Sequence, residues 1–128
     1  DPVVHFEVPF DNKERAMKFY SDVFGWRLVD MSEMRYVMAY SCEIDEANQN
    51  MPKELGRING GMAERSPGGE QCVIVMKVGS VDAAMEKVKA NGGSELMPKM
   101  EIGGMGCYAY VADSEGNVIG LWEDMKKG

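Results

Sequence analysis

The chain has 128 residues, 45% hydrophobic and 27% charged, the proportions of an ordinary globular domain long enough to bury a core. Fourteen basic residues against 21 acidic ones give a net charge of −7 at pH 7, which argues against a nucleic-acid or anionic-membrane partner. No apolar run approaches the ~20 residues needed to span a bilayer and no secretory leader is recognisable. Three cysteines, Cys42, Cys72 and Cys107, lack metal-ligand spacing, so a reduced, cytoplasmic protein is expected.

Residues 3–9 are a β-branched run ending at Pro9 and are predicted as a strand. Asp11-Asn12-Lys13-Glu14 has the Asp-x-x-Glu form of a capping box. Ala16, Met17, Phe19, Tyr20, Val23 and Phe24 then recur at helical spacing as far as Gly25. Residues 26–31 and 35–42 read as a strand pair joined by Ser32-Glu33-Met34. Residues 43–55 lack a period, contain Pro52 and read as the one long loop; residues 57–64 form a further strand carrying Gly60-Gly61. Ser66-Pro67-Gly68-Gly69 is the strongest breaker in the chain and marks a module boundary. Beyond it come a strand at 71–78 and a helix from a Ser80 cap to about Asn91, stopped by Gly92-Gly93. Three strands follow at 94–97, 106–112 and 117–123, the last two joined by the turn Asp113-Ser114-Glu115-Gly116-Asn117.

The two halves repeat one plan. Val4-His5-Phe6-Glu7-Val8 with Arg15–Tyr20 superposes on Cys72-Val73-Ile74-Val75-Met76 with Ala83–Val88 at a fixed offset of 68 positions. Ala16 meets Ala84, and Met17 meets Met85. The repeat implies two β-α-β-β-β modules, at about 1–65 and about 70–125, within one domain covering 1–128. A four-stranded sheet with one helix leaves its other face bare, so an α+β fold is expected in which both modules form one curved mixed sheet around a cleft.

That duplicated plan resembles the vicinal oxygen chelate superfamily, which includes glyoxalase I, bleomycin-resistance proteins and extradiol dioxygenases. The resemblance rests on His5 in the first strand, Glu14-Arg15-Ala16 and Phe19-Tyr20 in the helix, and Val23-Phe24-Gly25-Trp26 after it. Val81-Asp82-Ala83-Ala84, Asn91-Gly92-Gly93 and Asp113-Ser114-Glu115-Gly116-Asn117 match in the second half. By resemblance, metal-using members take one ligand pair from the first strands of the two modules and another from the last strands. Those positions fall on His5 and Val73, and, when the last strands are aligned on their glycines, on Gly60 and Gly120. One imidazole with Val and two Gly does not make a catalytic metal site, which ordinarily keeps three or more protein ligands. By strand alternation Glu64 shares the face of Gly60, and Glu123 lies opposite Gly120.

His5 and Glu7 share a strand face and are the candidates for acid–base or anchoring roles; the plainer reading is a hydrogen-bonded remnant of the family plan. Gly60-Gly61 and Gly120 mark either close approach of a ligand or a bulge required by sheet curvature. Met62 shares the face of Gly60, Trp122 that of Gly120, and Val75 that of Val73, so these side chains are expected to line the cleft, with plain core packing as the competing account. Tyr108 with Tyr110, and Tyr36 with Met38 and Tyr40, alternate along strands whose orientation the sequence leaves open. Twelve methionines supply adaptable apolar surface.

The resulting expectation is a metal-free, cofactor-free protein that binds a small, partly hydrophobic molecule, similar to the bleomycin-resistance branch. The binding set is His5, Glu7, Met62, Val75, Trp122, Tyr108 and Tyr110, with His5 and Glu7 the only catalytic candidates. Catalysis is left open, the substitution of Val73, Gly60 and Gly120 at metal positions weighing against it. The alternative is a metal-dependent glyoxalase-like lyase, isomerase or dioxygenase that uses His5. A homodimer is a further expectation, since some relatives build clefts between subunits and open sheet edges favour pairing.

Overall fold

The computed structural model describes residues 1–66 and 71–125. Two compact units are present: residues 5–72, and residues 1–4 together with 73–128. The breaker at Ser66-Pro67-Gly68-Gly69 lies mostly outside the described residues.

The first unit contains β1 (Val3–Phe10, starting two residues before the unit boundary), α1 (Lys13–Phe24), β2 (Arg27–Met31), β3 (Tyr36–Tyr40), β4 (Ile44–Asp45), β5 (Met51–Pro52) and β6 (Asn59–Glu64). A single 3-10 turn, Ser32–Met34, joins β2 to β3 as the sequence predicts. The expected long loop carries the small β4–β5 hairpin instead of being wholly irregular. The main strands run in the order β2-β3-β6-β1; β1 and β6 are parallel and the other neighbours antiparallel.

The cap of α1 is Asn12, whose side chain accepts from the Arg15 N–H at 2.9 Å. Asp11, expected in that role, pairs with Arg65 at 3.0 Å. Gly25 closes the helix in the left-handed conformation at φ 70°, which only glycine adopts without cost. Ala16, Met17 and Tyr20 pack from α1 onto the sheet, over Phe6, Val8 and Phe10 of β1 and the buried trio Val37, Ala39 and Met62. Because strand side chains alternate, this packing decides the faces: the even-numbered residues of β1 lie under α1, and His5 and Glu7 point the other way.

The second unit repeats the arrangement with β7 (Val73–Lys77), α2 (Val81–Ala90), β8 (Ser94–Ile102), β9 (Gly106–Ala112) and β10 (Val118–Asp124). Its strand order is β8-β9-β10-β7, again with one parallel pair, β7 with β10. Both units are therefore a mixed sheet with one helix on one face, an α+β construction. Ser80 caps α2 by accepting from Ala83 N–H at 3.1 Å. Glu123 reinforces that end, its Oε1 accepting from Val81 N–H at 2.7 Å, where a carboxylate meets the positive end of the helix. Val78, Val81, Met85, Ala109, Val111 and Leu121 form the core. Strand β8 runs five residues beyond the predicted end at Met97, through Pro98. Pro is tolerated there because β8 pairs only with β9 and its register shifts on either side of Met97.

Candidate functional site

The polar groups of the first unit converge on the sheet face opposite α1. His5 Nε2 lies 2.8 Å from the Tyr36 hydroxyl, which in turn reaches Glu7 Oε2 at 3.5 Å. His5 and Glu7, predicted as neighbours on one face of β1, are thus joined through a side chain from β3. Tyr36 was not among the predicted site residues. Its face follows only from pairing: Val37 stands opposite Met62 in the core under α1, so Tyr36 faces away.

Glycine makes this network possible. Gly61 sits opposite Glu7 in register, and a Cβ built on Gly61 would overlap the Tyr36 hydroxyl. Gly60 does the same service on the other face, where a Cβ would overlap the Phe6 ring. The glycine pair therefore accommodates two aromatic neighbours, one on each face of β6.

Burial sets the protonation states. Desolvation lowers the His5 pKa from 6.5 to about 4, so the imidazole is neutral at pH 7. Burial, followed by the neighbouring Glu7 carboxylate, holds the Tyr36 phenol above its ordinary value, so it keeps its proton. Tyr36 has one O–H to give. If it donates to His5, the imidazole proton sits on Nδ1; if it donates to Glu7, His5 Nε2–H donates to the phenol oxygen. The constellation offers a neutral imidazole, a phenol and a carboxylate as hydrogen-bonding groups, and its unprotonated imidazole can take up a proton.

Asn59 is the register partner of His5, and its Oδ1 accepts from Ser41 N–H at 2.9 Å and Cys42 S–H at 3.2 Å. It ties the start of the segment after β3 to the sheet.

The remaining predicted residues divide sharply. Val75, Trp122, Tyr108 and Tyr110 come together on the face of the second unit opposite α2: Trp122 stands opposite Tyr108, while Gly120 lies between Tyr110 and Val75. Tyr108 and Tyr110 meet edge to face at 6.0 Å, and the Trp122 indole N–H donates to Asp124 at 2.7 Å. Met62 does not join His5. It is wholly buried under α1, 0% exposed, on the opposite side of the sheet. The error is one residue of register: Gly61, not Gly60, stands opposite Glu7, as Gly120 stands opposite Val75. A slip of one moves every side chain to the other face.

The same correction bears on metal binding. The last-strand positions facing the His5 side are Gly61 in the first unit and, by repeat, Gly120 in the second. Glu64 shares the Met62 face and Glu123 caps α2. Among the described residues, no three His, Cys, Asp or Glu side chains gather as a metal-ligand set. The residues present do not fit the divalent ion that metal-using members of the family hold.

Comparison with known proteins agrees with this architecture. Residues 3–39 match the family described as bleomycin resistance protein-like N-terminal. The glyoxylase-named protein CFP32 of Mycobacterium tuberculosis and Mycobacterium bovis is 28% identical over 117 residues, covering 88% of this chain; the chain spans only 41% of that relative. A glyoxalase/bleomycin resistance protein/dioxygenase superfamily member from Vibrio splendidus superposes with a TM-score of 0.63 at 13% identity, covering 97% of this chain and 98% of that one. Methylmalonyl-CoA epimerase of Streptomyces coelicolor, in complex with 2-nitronate-propionyl-CoA, superposes with a TM-score of 0.65 at 15% identity, covering 96% and 94%. At such identities the structural likeness shows the fold. The sequence matches and the shared fold agree with the resemblance to the vicinal oxygen chelate superfamily. No helix among the described residues is long and apolar enough to cross a membrane.

Proposed function

We propose that this protein binds a small, partly hydrophobic molecule without a catalytic metal, using the sheet face opposite α1. The observation that carries the reading is the His5–Tyr36–Glu7 network, which occupies the family's first-strand ligand position with an imidazole already engaged by a phenol. Met38, opposite Gly61 on the same face, supplies apolar surface beside it. The Val75, Tyr108, Tyr110 and Trp122 face is the aromatic counterpart in the second unit and belongs to the same reading as a stacking surface. The match to a bleomycin-resistance model and the likeness to an epimerase complexed with a CoA derivative support a small-molecule ligand. A cytoplasmic homodimer, paired through an outer strand such as β2 or β8, completes the proposal.

Calorimetric titration with bleomycin and with methylmalonyl-CoA, each before and after Tyr36→Phe, tests the binding reading. Saturable binding weakened by the variant is expected, and no binding of either compound would count against these ligand classes. Elemental analysis with titration by Zn²⁺, Ni²⁺, Mn²⁺ and Fe²⁺ tests the metal-free part. One equivalent of ion that disappears on His5→Ala would overturn it and favour the metal-dependent enzyme.

A further inference from the structure

A second site lies apart from the His5 network, in a cavity of about 490 Å³ between the end of the β2–β3 pair and the segment holding the β4–β5 hairpin. Its volume falls within the range of small-ligand pockets. The charged residues lining it are Arg27, Lys53 and Arg57 against Glu43 and Glu54, an excess of one positive charge in a chain whose net charge is −7.

The three cations are not equally engaged. Arg57 pairs with Glu54 at 2.7 Å, and Lys53 stands 4.0 Å from Glu43, the limit of an ion pair. Arg27 forms no ion pair among the described residues. Its guanidinium lies 4.3 Å above the Tyr40 ring, opposite it in the β2–β3 register. This cation–π contact leaves the guanidinium N–H groups, which can grip a carboxylate with two parallel hydrogen bonds, without an ion-pair partner among the described residues. The wall next to it is fixed: Ser41 is bound through its N–H to Asn59 and through its hydroxyl to the Ile58 carbonyl at 2.6 Å.

We infer that this cavity binds a small organic monocarboxylate, with the carboxylate held by Arg27 and balanced by the single excess positive charge. A dianionic phosphate would be under-neutralised there unless Glu43 or Glu54 gave up its partner.

Isothermal titration of the full chain with benzoate and, separately, with inorganic phosphate tests the inference. Benzoate is expected to bind saturably, less tightly as NaCl rises. Arg27→Gln is expected to weaken it at least about tenfold, and Arg27→Lys, which keeps the charge but loses the fork, by an intermediate factor. Circular dichroism and thermal melts of both variants establish that they remain folded. Tyr36→Phe, acting on the His5 network, is expected to leave benzoate affinity unchanged; a loss there would move the anion to the His5 face and overturn the inference. Absence of saturable benzoate binding, tighter binding of phosphate, or benzoate binding indifferent to both Arg27 variants would also overturn it.

Discussion

The two sheet faces that look away from the helices are built on identical registers and carry opposite chemistry. In the first, His5 and Glu7 of β1 lie beside Asn59 and Gly61 of β6, with Tyr36 and Met38 on β3. In the second, the same places hold Val73 and Val75, Val118 and Gly120, and Tyr108 and Tyr110. Tyr36 and Tyr108 are twins, yet Tyr36 has an imidazole and a carboxylate within reach, whereas among the described residues the Tyr108 hydroxyl reaches Met100 Sδ at 3.9 Å. One scaffold position thus becomes the centre of a polar network or part of an aromatic surface, according to what its neighbouring strand supplies. The two halves share one backbone plan and differ at the side chains that decide chemistry.

Exchanging the two chemistries is expected to have the largest effect. Val75→Glu places a carboxylate at a 7%-exposed position among apolar and aromatic neighbours, and a loss of about 3 kcal/mol or more is expected in chemical denaturation. A near-neutral outcome would mean that the second face is as permissive of charge as the first.

The twin glycines provide a sharper contrast. Gly61→Ala drives a methyl into the Tyr36 hydroxyl and should cost about 2–3 kcal/mol while displacing the phenol from His5. Gly120→Ala meets the Val75 Cγ2 at 2.9 Å, a smaller overlap with a stiff side chain that must give slightly, and should cost less, about 1 kcal/mol. Equal losses would break the proposed equivalence between glycine and network.

The pH dependence isolates the imidazole. Its folded pKa, about 4, lies below the unfolded value of about 6.5, so the unfolded chain binds the extra proton first. Stability from this group is therefore complete above pH ~6.5 and lost as pH falls towards 4, by about 2–3 kcal/mol across that window. His5 is the only histidine, so its ring resonances in an NMR titration report the site directly. A midpoint near 6.5 would show that the imidazole is solvated.

The smallest effect separates the two tyrosines. Tyr36→Phe is expected to cost about 1 kcal/mol through its hydrogen bonds, and Tyr108→Phe less than about 0.5 kcal/mol. The difference is read from paired denaturation curves.

Element types and order were legible along the chain because each rests on short-range rules. The spacing of Ala16, Met17 and Tyr20, the stop at Gly25, the Ser80 cap and the Asp113–Asn117 turn all act within a few residues, and all appear where expected. Cap identity was finer than the pattern could resolve. Asp11 and Asn12 are both good caps, and the choice went to Asn12 while Asp11 pairs with Arg65, 54 residues away. The extension of β8 through Pro98 was hidden because a local rule against proline yields when the strand has only one neighbour.

The site was only half legible. That His5 and Glu7 share a face follows from the two-residue period of a strand, and that the second half lacks their counterparts follows from the repeat; both are properties of the sequence alone. Which other strands bring side chains to that face depends on register, a long-range quantity that alternation leaves ambiguous by one residue. Packing of Val37, Ala39 and Met62 under α1 removed the ambiguity. It sent Met62 into the core, turned Tyr36 towards His5, and made Gly61 the residue on which the network depends. The chain thus determined by itself that one half keeps an imidazole and the other does not; only the tertiary structure decided what that imidazole touches, because burying one face of a sheet chooses the contents of the other.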